Sequence, residues 1–127
     1  MVYVLEIRPQ TKERPRFNGR NAYTPQRTRR YEEDLKTLYR NVGGKMYDGA
    51  LSVDLEFHYA TKDKKKWGKP KVSRPDVDNL VKGFCDALNG ECWRDDSLIY
   101  SINAVKLWDS EDFIIFKVRG RMDGYNF

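Results

Sequence analysis

The chain has 127 residues, of which 39% are hydrophobic and 34% charged, and its formal net charge is +5. That length suits one domain with a modest core, read as residues 1–127. No apolar run approaches a membrane span, and "MVYVLEIRP" lacks the basic start and apolar middle of a signal peptide. Cys85 and Cys92 read as reduced thiols of a cytoplasmic protein, and two cysteines with one histidine make a poor zinc set.

Val2 to Arg8 alternates apolar and polar residues and predicts a first strand. Residues 9–24 are basic, interrupted by Pro9, Pro15 and Gly19, and read as an irregular arm or loose hairpin with Phe17 and Tyr23 as its aromatics. A helix follows, with Thr24 as N-cap, Pro25 at its first position and an end at Gly43-Gly44. Tyr31, Leu35, Leu38 and Val42 fall at helical spacing as its buried stripe. Residues 50–60 alternate strictly and predict a half-buried strand, which puts His58 on its polar, exposed side. A lysine-rich loop leads to a second helix from about Asp78 to Gly90, with Leu80, Phe84, Ala87 and Leu88 on its core face and Val81 beside them. Trp93 and Trp108 read as packing residues. Two strands, from Ser97 and from Glu111, are joined by a tight Asp-Ser turn. The expected class is α+β: one mixed or antiparallel sheet, at least one hairpin, and about two helices packed on a face.

The charge is segregated. Residues 8–30 carry +7 and residues 61–74 carry +6, so the other residues sum to −8. A mildly acidic body with two basic arms suits a polyanionic partner. The plain alternative is that basic loops aid solubility. On charge alone the candidate DNA contacts are Arg14, Arg16 and Arg20 in the first arm, and Lys64, Lys65, Lys66, Lys69, Lys71 and Arg74 in the second. Trp67 sits among those lysines, a combination that suits a backbone with an adjacent base; an ordinary surface tryptophan is the alternative.

Against this basic background, "SRPDVDNLVKGFCDALNGECWRDDSLI" (73–99) holds five aspartates: Asp76, Asp78, Asp86, Asp95 and Asp96. Asp76 falls in an extended lead-in after Pro75, and Asp78 caps or begins the helix, so both carboxylates can reach one point near its N-terminus. Asp78, Lys82, Asp86 and Asn89 share one polar face. If the chain turns back after the helix, Asp95 or Asp96 joins Asp76 and Asp78. Carboxylates without histidine or cysteine are hard oxygen ligands that suit Mg²⁺ or Mn²⁺, and a cation beside a basic groove supports phosphodiester hydrolysis. Lys82 would then orient water or neutralise developing charge. The competing interpretation makes Asp76 or Asp78 an N-cap, Asp78–Lys82 a surface pair and Asp95-Asp96 turn residues.

With "RPDVDNLVKGFCDALNG" followed by "DD", and "KERPRF" and "YTP" nearer the amino terminus, the chain resembles the RusA-type Holliday junction resolvases, endodeoxyribonucleases common in prophages. The resemblance spans nearly the whole chain. It implies a homodimer that cuts four-way DNA junctions symmetrically with Mg²⁺ or Mn²⁺. It places the metal-binding acids at Asp76, Asp78 and Asp96 and the catalytic lysine at Lys82, and gives Asp86 a supporting or structural place. Which of Asp95 and Asp96 is the third ligand stays open. The alternatives are a branched-DNA-binding protein of prophage origin that does not cut, and a nuclease for other branched or flapped DNA.

Overall fold

The computed structural model describes residues 1–122. In chain order it contains β1 (Val2–Leu5), β2 (Arg16–Asn18), β3 (Asn21–Tyr23), α1 (Gln26–Asn41), β4 (Tyr47–Ala60), α2 (Val77–Leu88), β5 (Ile99–Asp109) and β6 (Phe113–Met122). Single 3-10 turns precede α2 at Lys64–Lys66 and β5 at Asp96–Leu98. The main sheet has the order β1-β6-β4-β5. Its β4 strand is parallel to β5 and antiparallel to β6, and β6 is antiparallel to β1. The architecture is the expected α+β class with a mixed sheet and two helices, and β2 and β3 form the loose hairpin expected in the arm.

Alternation in β4 builds the core. Leu51, Val53, Leu55, Phe57 and Tyr59 all face the helices and are fully or almost fully buried. Tyr3 and Leu5 of β1, with Ile114, Phe116 and Val118 of β6, complete the same face. Each such large side chain contributes roughly 1.5–3 kcal/mol on burial. From above come Leu80, Phe84, Ala87 and Leu88 of α2, as the spacing predicts, with Val81 partly buried beside them.

Helix α1 departs from expectation at its start and along its stripe. Pro25 itself is the N-cap, with no side-chain capping bond, so Thr24 does not cap. The buried residues are Thr28, Tyr31, Leu35 and Tyr39; Leu38 is only partly buried and Val42 lies exposed past the last turn. Tyr39 takes the inward place because its ring packs edge-on against Tyr3, with centroids 5.0 Å apart. The Gly-Gly stop is as predicted: Gly43 has φ 77°, and the Gly44 N–H donates to Tyr39 O at 2.9 Å.

Three residues turn the chain from β5 to β6, but they make no hairpin. β4 lies between the two strands, and the connection passes over its end, with Thr61 N–H donating to Asp109 O and Ala60 N–H to Asp112 Oδ1. That crossing also buries His58, read from alternation as exposed. Its ring stacks on Phe113 at 4.2 Å, and its nitrogens meet Asp109 Oδ2 at 3.0 Å and Glu56 Oε1 at 2.9 Å. Phe113 and Asp109 come from the neighbouring strands, and Glu56 from its own.

Because β4 and β5 are parallel, α2 is a crossover helix running back against both. Its N-terminus therefore lies where β4 and β5 finish, and its C-terminus where β5 begins.

Candidate active site

The segment after the lysine loop is fastened along β5. Gly68 N–H donates to Trp108 O, Trp108 N–H to Lys69 O, and Lys71 N–H to Lys106 O, at 2.8–3.0 Å. A bend at 73–75, with a cis Arg74–Pro75 peptide, then leads into α2. Asp76 occupies the N-cap position with extended backbone (φ −71°, ψ 141°), yet its carboxylate makes no capping bond. Asp78 lies in the first turn. Asp76, Asp78 and Lys82 are exposed, and among the described residues no hydrogen bond or ion pair engages their side chains. The Asp78–Lys82 surface pair therefore does not form. Two carboxylates and one ammonium stand unspent at the amino end of a helix.

The arm walls this site. Tyr59 Oη donates to Pro9 O at 3.0 Å, Lys12 Nζ pairs with Asp86 Oδ2 at 3.1 Å, and Glu13 N–H donates to Thr28 Oγ1 at 3.0 Å. Residues 10–12 cross α2 at Gly83, where a Cβ would sit 3.1 Å from the Lys12 backbone nitrogen. Between arm and helix opens a cleft of about 420 Å³ lined by Lys12, Arg14, Asn79 and Lys82. A second cleft of about 360 Å³, sharing Asn79, reaches Arg74 and Asp76. A further cleft of about 340 Å³ beside α1 contains none of the acids singled out.

Asp96 does not join Asp76 and Asp78. Among the described residues, no three His, Cys, Asp or Glu side chains lie close enough to hold one metal ion. Asp96 instead stands at the far end of α2, where its N–H donates to Asn89 Oδ1 at 2.9 Å. The turn between is short and pinned: Cys92 N–H donates to Leu88 O, Gly90 N–H to Trp93 O, and fully buried Trp93 donates Nε1–H to Cys85 O. β5 must start there to run parallel to β4. Partial burial, then Asp95, then Asp86, raise the Asp96 carboxyl above the ordinary carboxylate value. Hydrogen bonds from Ser97, and then from Asp96, hold Asp95 below it.

Of the candidate DNA contacts, Arg14, Arg16, Arg20, Lys64, Lys65, Lys66, Lys69 and Arg74 are exposed. Arg16 lies 3.7 Å from Glu13. Trp67 is 40% exposed, has Lys64 Nζ 5.9 Å from its ring centre, and donates Nε1–H to Thr61 O. Lys71 is the exception and corrects the charge-based reading: it is buried, with its ammonium over Trp108 and Tyr59. Burial, then Lys106 and Arg8, push its ammonium below the ordinary lysine value.

A four-stranded mixed sheet crossed by an acid-bearing helix, with basic segments on both sides, invites comparison with known proteins. Residues 6–119 match the family described as Endodeoxyribonuclease RusA. The chain belongs to the RusA family. It is 38% identical over 69 residues to a protein of Lactococcus phage r1t named crossover junction endodeoxyribonuclease rusA, an alignment covering 54% of this chain and 53% of that protein. It is 30% identical over 82 residues to the uncharacterized protein YqaN of Bacillus subtilis (strain 168), covering 56% and 58%. The chain thus spans a little over half the length of the curated relatives it matches. In this RusA-family chain, residue-type reasoning missed Gly83, Lys12 and Lys106. Lys106 alone left a signal, as a lysine in phase with Ile102, Ala104 and Trp108 along its strand.

Proposed function

We propose that the protein is a Mg²⁺-dependent endodeoxyribonuclease, with Mn²⁺ as substitute, that resolves four-way DNA junctions by paired symmetric nicks in recombination and repair, in the cytoplasm. The observation that carries this reading is the uncommitted Asp76–Asp78 pair at the amino end of α2, with Lys82 one turn on and the docked arm beside it. The donor set fits the metal: Mg²⁺ is held by one or two carboxylates, keeps several waters, and takes remaining oxygens from a phosphate. Asp76 and Asp78 would hold it. When bound, such an ion polarises the phosphoryl group and lowers the pKa of a bound water.

The chain's own residues supply the rest. Lys82, one turn beyond Asp78, faces the cleft and neutralises charge developing on the phosphate. Arg14 lines the same cleft and grips a neighbouring phosphate. The amino end of a helix also offers backbone N–H groups to a phosphate. The lysine loop, with Trp67, carries a DNA arm away from the cut. Asp96, at the opposite end of α2, is given no part in holding that ion. A C2 homodimer would set two such sites against strands of like polarity.

The test is purified protein with a synthetic four-way junction and each cation. Paired nicks are expected; their absence with both Mg²⁺ and Mn²⁺ refutes the proposal. The separation of Asp96 from Asp76 and Asp78 favours one second reading, a junction-binding protein that does not cut. It predicts salt-sensitive junction binding and no metal-dependent products.

A further inference from the structure

The parallel crossover brings the far end of β5 to the start of α2, and what it delivers there is Lys106. This residue pairs with Phe57 in register and so stands on the sheet face that packs under the helices. An ammonium in that position needs oxygen partners. It donates to Ser73 O and to Pro75 O, each at 2.8 Å. Lys71 reaches the same bend: its buried ammonium donates to Ser73 Oγ at 2.6 Å, to Ser73 O at 3.4 Å and to Arg74 O. Two cations thus converge on three successive backbone carbonyls, ending one residue before Asp76.

Crowding like charges in a half-dry place is unfavourable unless the geometry repays it. Neither ammonium is needed to cover apolar surface, which a methionine would do as well. Each supplies donors to carbonyls that helix and sheet leave unpaired.

We infer that Lys71 and Lys106 are positioning residues that clamp the Ser73–Pro75 backbone and so aim Asp76 and Asp78. The inference rests on the proposed metal-holding role of those two acids. A carboxylate pair released by about an ångström would lose roughly 10²-fold in rate.

The experiment compares wild-type full-length chain with Lys106→Met and Lys106→Arg. Mn²⁺ binding is measured by electron paramagnetic resonance without DNA, alongside junction binding in EDTA, thermal melting and the rate of junction cutting. Lys106→Met is expected to melt and to bind junction like wild type, to bind Mn²⁺ about tenfold more weakly, and to cut about 10²-fold more slowly. Lys106→Arg, which keeps the donors, is expected to recover most of both. If Lys106→Met does not fold, Lys106→Gln replaces it with the same expected outcome. Unchanged Mn²⁺ affinity and cutting in the variant overturn the clamp alone. So does a parallel loss of melting temperature, junction binding and Mn²⁺ affinity that arginine does not rescue. A wild-type chain that binds no Mn²⁺ overturns the metal reading, and the clamp's role with it.

Discussion

Gly83→Val tests whether the basic arm is built into the site. Gly83 is buried in the middle of α2, where glycine is about 1 kcal/mol worse than alanine and a few tenths worse than valine. Propensity alone therefore predicts a slight gain. The structure predicts a loss. A Cβ there already lies 3.1 Å from the Lys12 nitrogen and 3.5 Å from Gln10 O, and the valine methyls extend about 1.5 Å farther into the arm. The arm must lift, breaking the partly buried Lys12–Asp86 pair, worth about 0.5 kcal/mol, and the Glu13–Thr28 hydrogen bond, worth about 1 kcal/mol. The net cost is about 1–2 kcal/mol. With an unfolding entropy of about 2.1 cal/mol/K per residue, that lowers the melting temperature by roughly 4–8 °C. The same displacement moves Arg14, and with it Arg16 and Arg20 on the attached hairpin. Junction affinity should fall, and the salt slope of binding should flatten by up to about 0.9 per lost phosphate contact. The assay is thermal unfolding paired with junction binding at several salt concentrations. A variant that melts at or above wild type and keeps its salt slope refutes the docked arm.

Asp78→Asn should abolish cutting, by roughly 10³-fold or more if the cation supplies several kcal/mol, while junction binding in metal-free buffer persists. Loss of both would point to folding instead. Burial pushes the thiols of Cys85 and Cys92 up to about 12, so iodoacetamide at about pH 8 should label neither until the chain unfolds; rapid labelling of native protein contradicts their placement. Asp96 gives a pH signature. Its carboxyl is raised above 3.8, so the folded chain holds that proton more tightly than the unfolded chain, and Asp96 lowers stability as pH rises above that value. Asp96→Asn should therefore melt higher than wild type at neutral pH, with the difference vanishing towards about pH 3. An equal or lower melting temperature at neutral pH contradicts the crowding by Asp95 and Asp86. Whether that variant still cuts decides whether Asp96 acts in the reaction from its distant place.

Much of the fold was legible because its signals are local. The alternation of β4, the Gly-Gly stop of α1 and the apolar face of α2 each appear within a dozen residues. Asp78 and Lys82 on one face were legible for the same reason, from helical period, and Asp76 beside them from the extended lead-in after Pro75. What failed depended on partners distant in sequence. His58 is buried by Phe113 and Asp109 from neighbouring strands, and Lys71 by Tyr59 and Trp108. The β5–β6 connection has the length of a hairpin turn, and only the sheet order shows β4 lying between its strands. Charge counting read Lys71 as a surface cation because composition carries no burial.

The misplacement of Asp96 has a deeper cause, which also explains the site. Proximity in sequence suggested that the chain turns back after α2 and returns an acid to Asp78. The chain does turn back, but the return takes the whole length of β5, so the group delivered beside Asp76 is Lys106. A parallel pair joined by a crossover helix puts the amino end of that helix at the carboxyl ends of both strands, the end where open sheets gather ligands. Here that end holds the lysine loop, the clamped bend, and Asp76 and Asp78. The same topology leaves Asp86 and Asp96 farther along α2, Asp86 being about 12 Å of helix from Asp78 at 1.5 Å per residue. Asp86 is answered by Lys12, so among the described residues of the helix and its cap the acids left without a cation partner are Asp76 and Asp78 at the amino end. A phosphate drawn in by the basic segments meets repulsion at those two carboxylates, which a bound cation would relieve. In the proposed reaction Asp76 and Asp78 would hold a cation whose charge also helps to seat the phosphate there. Divalent metal should accordingly strengthen junction binding by wild type more than by Asp78→Asn.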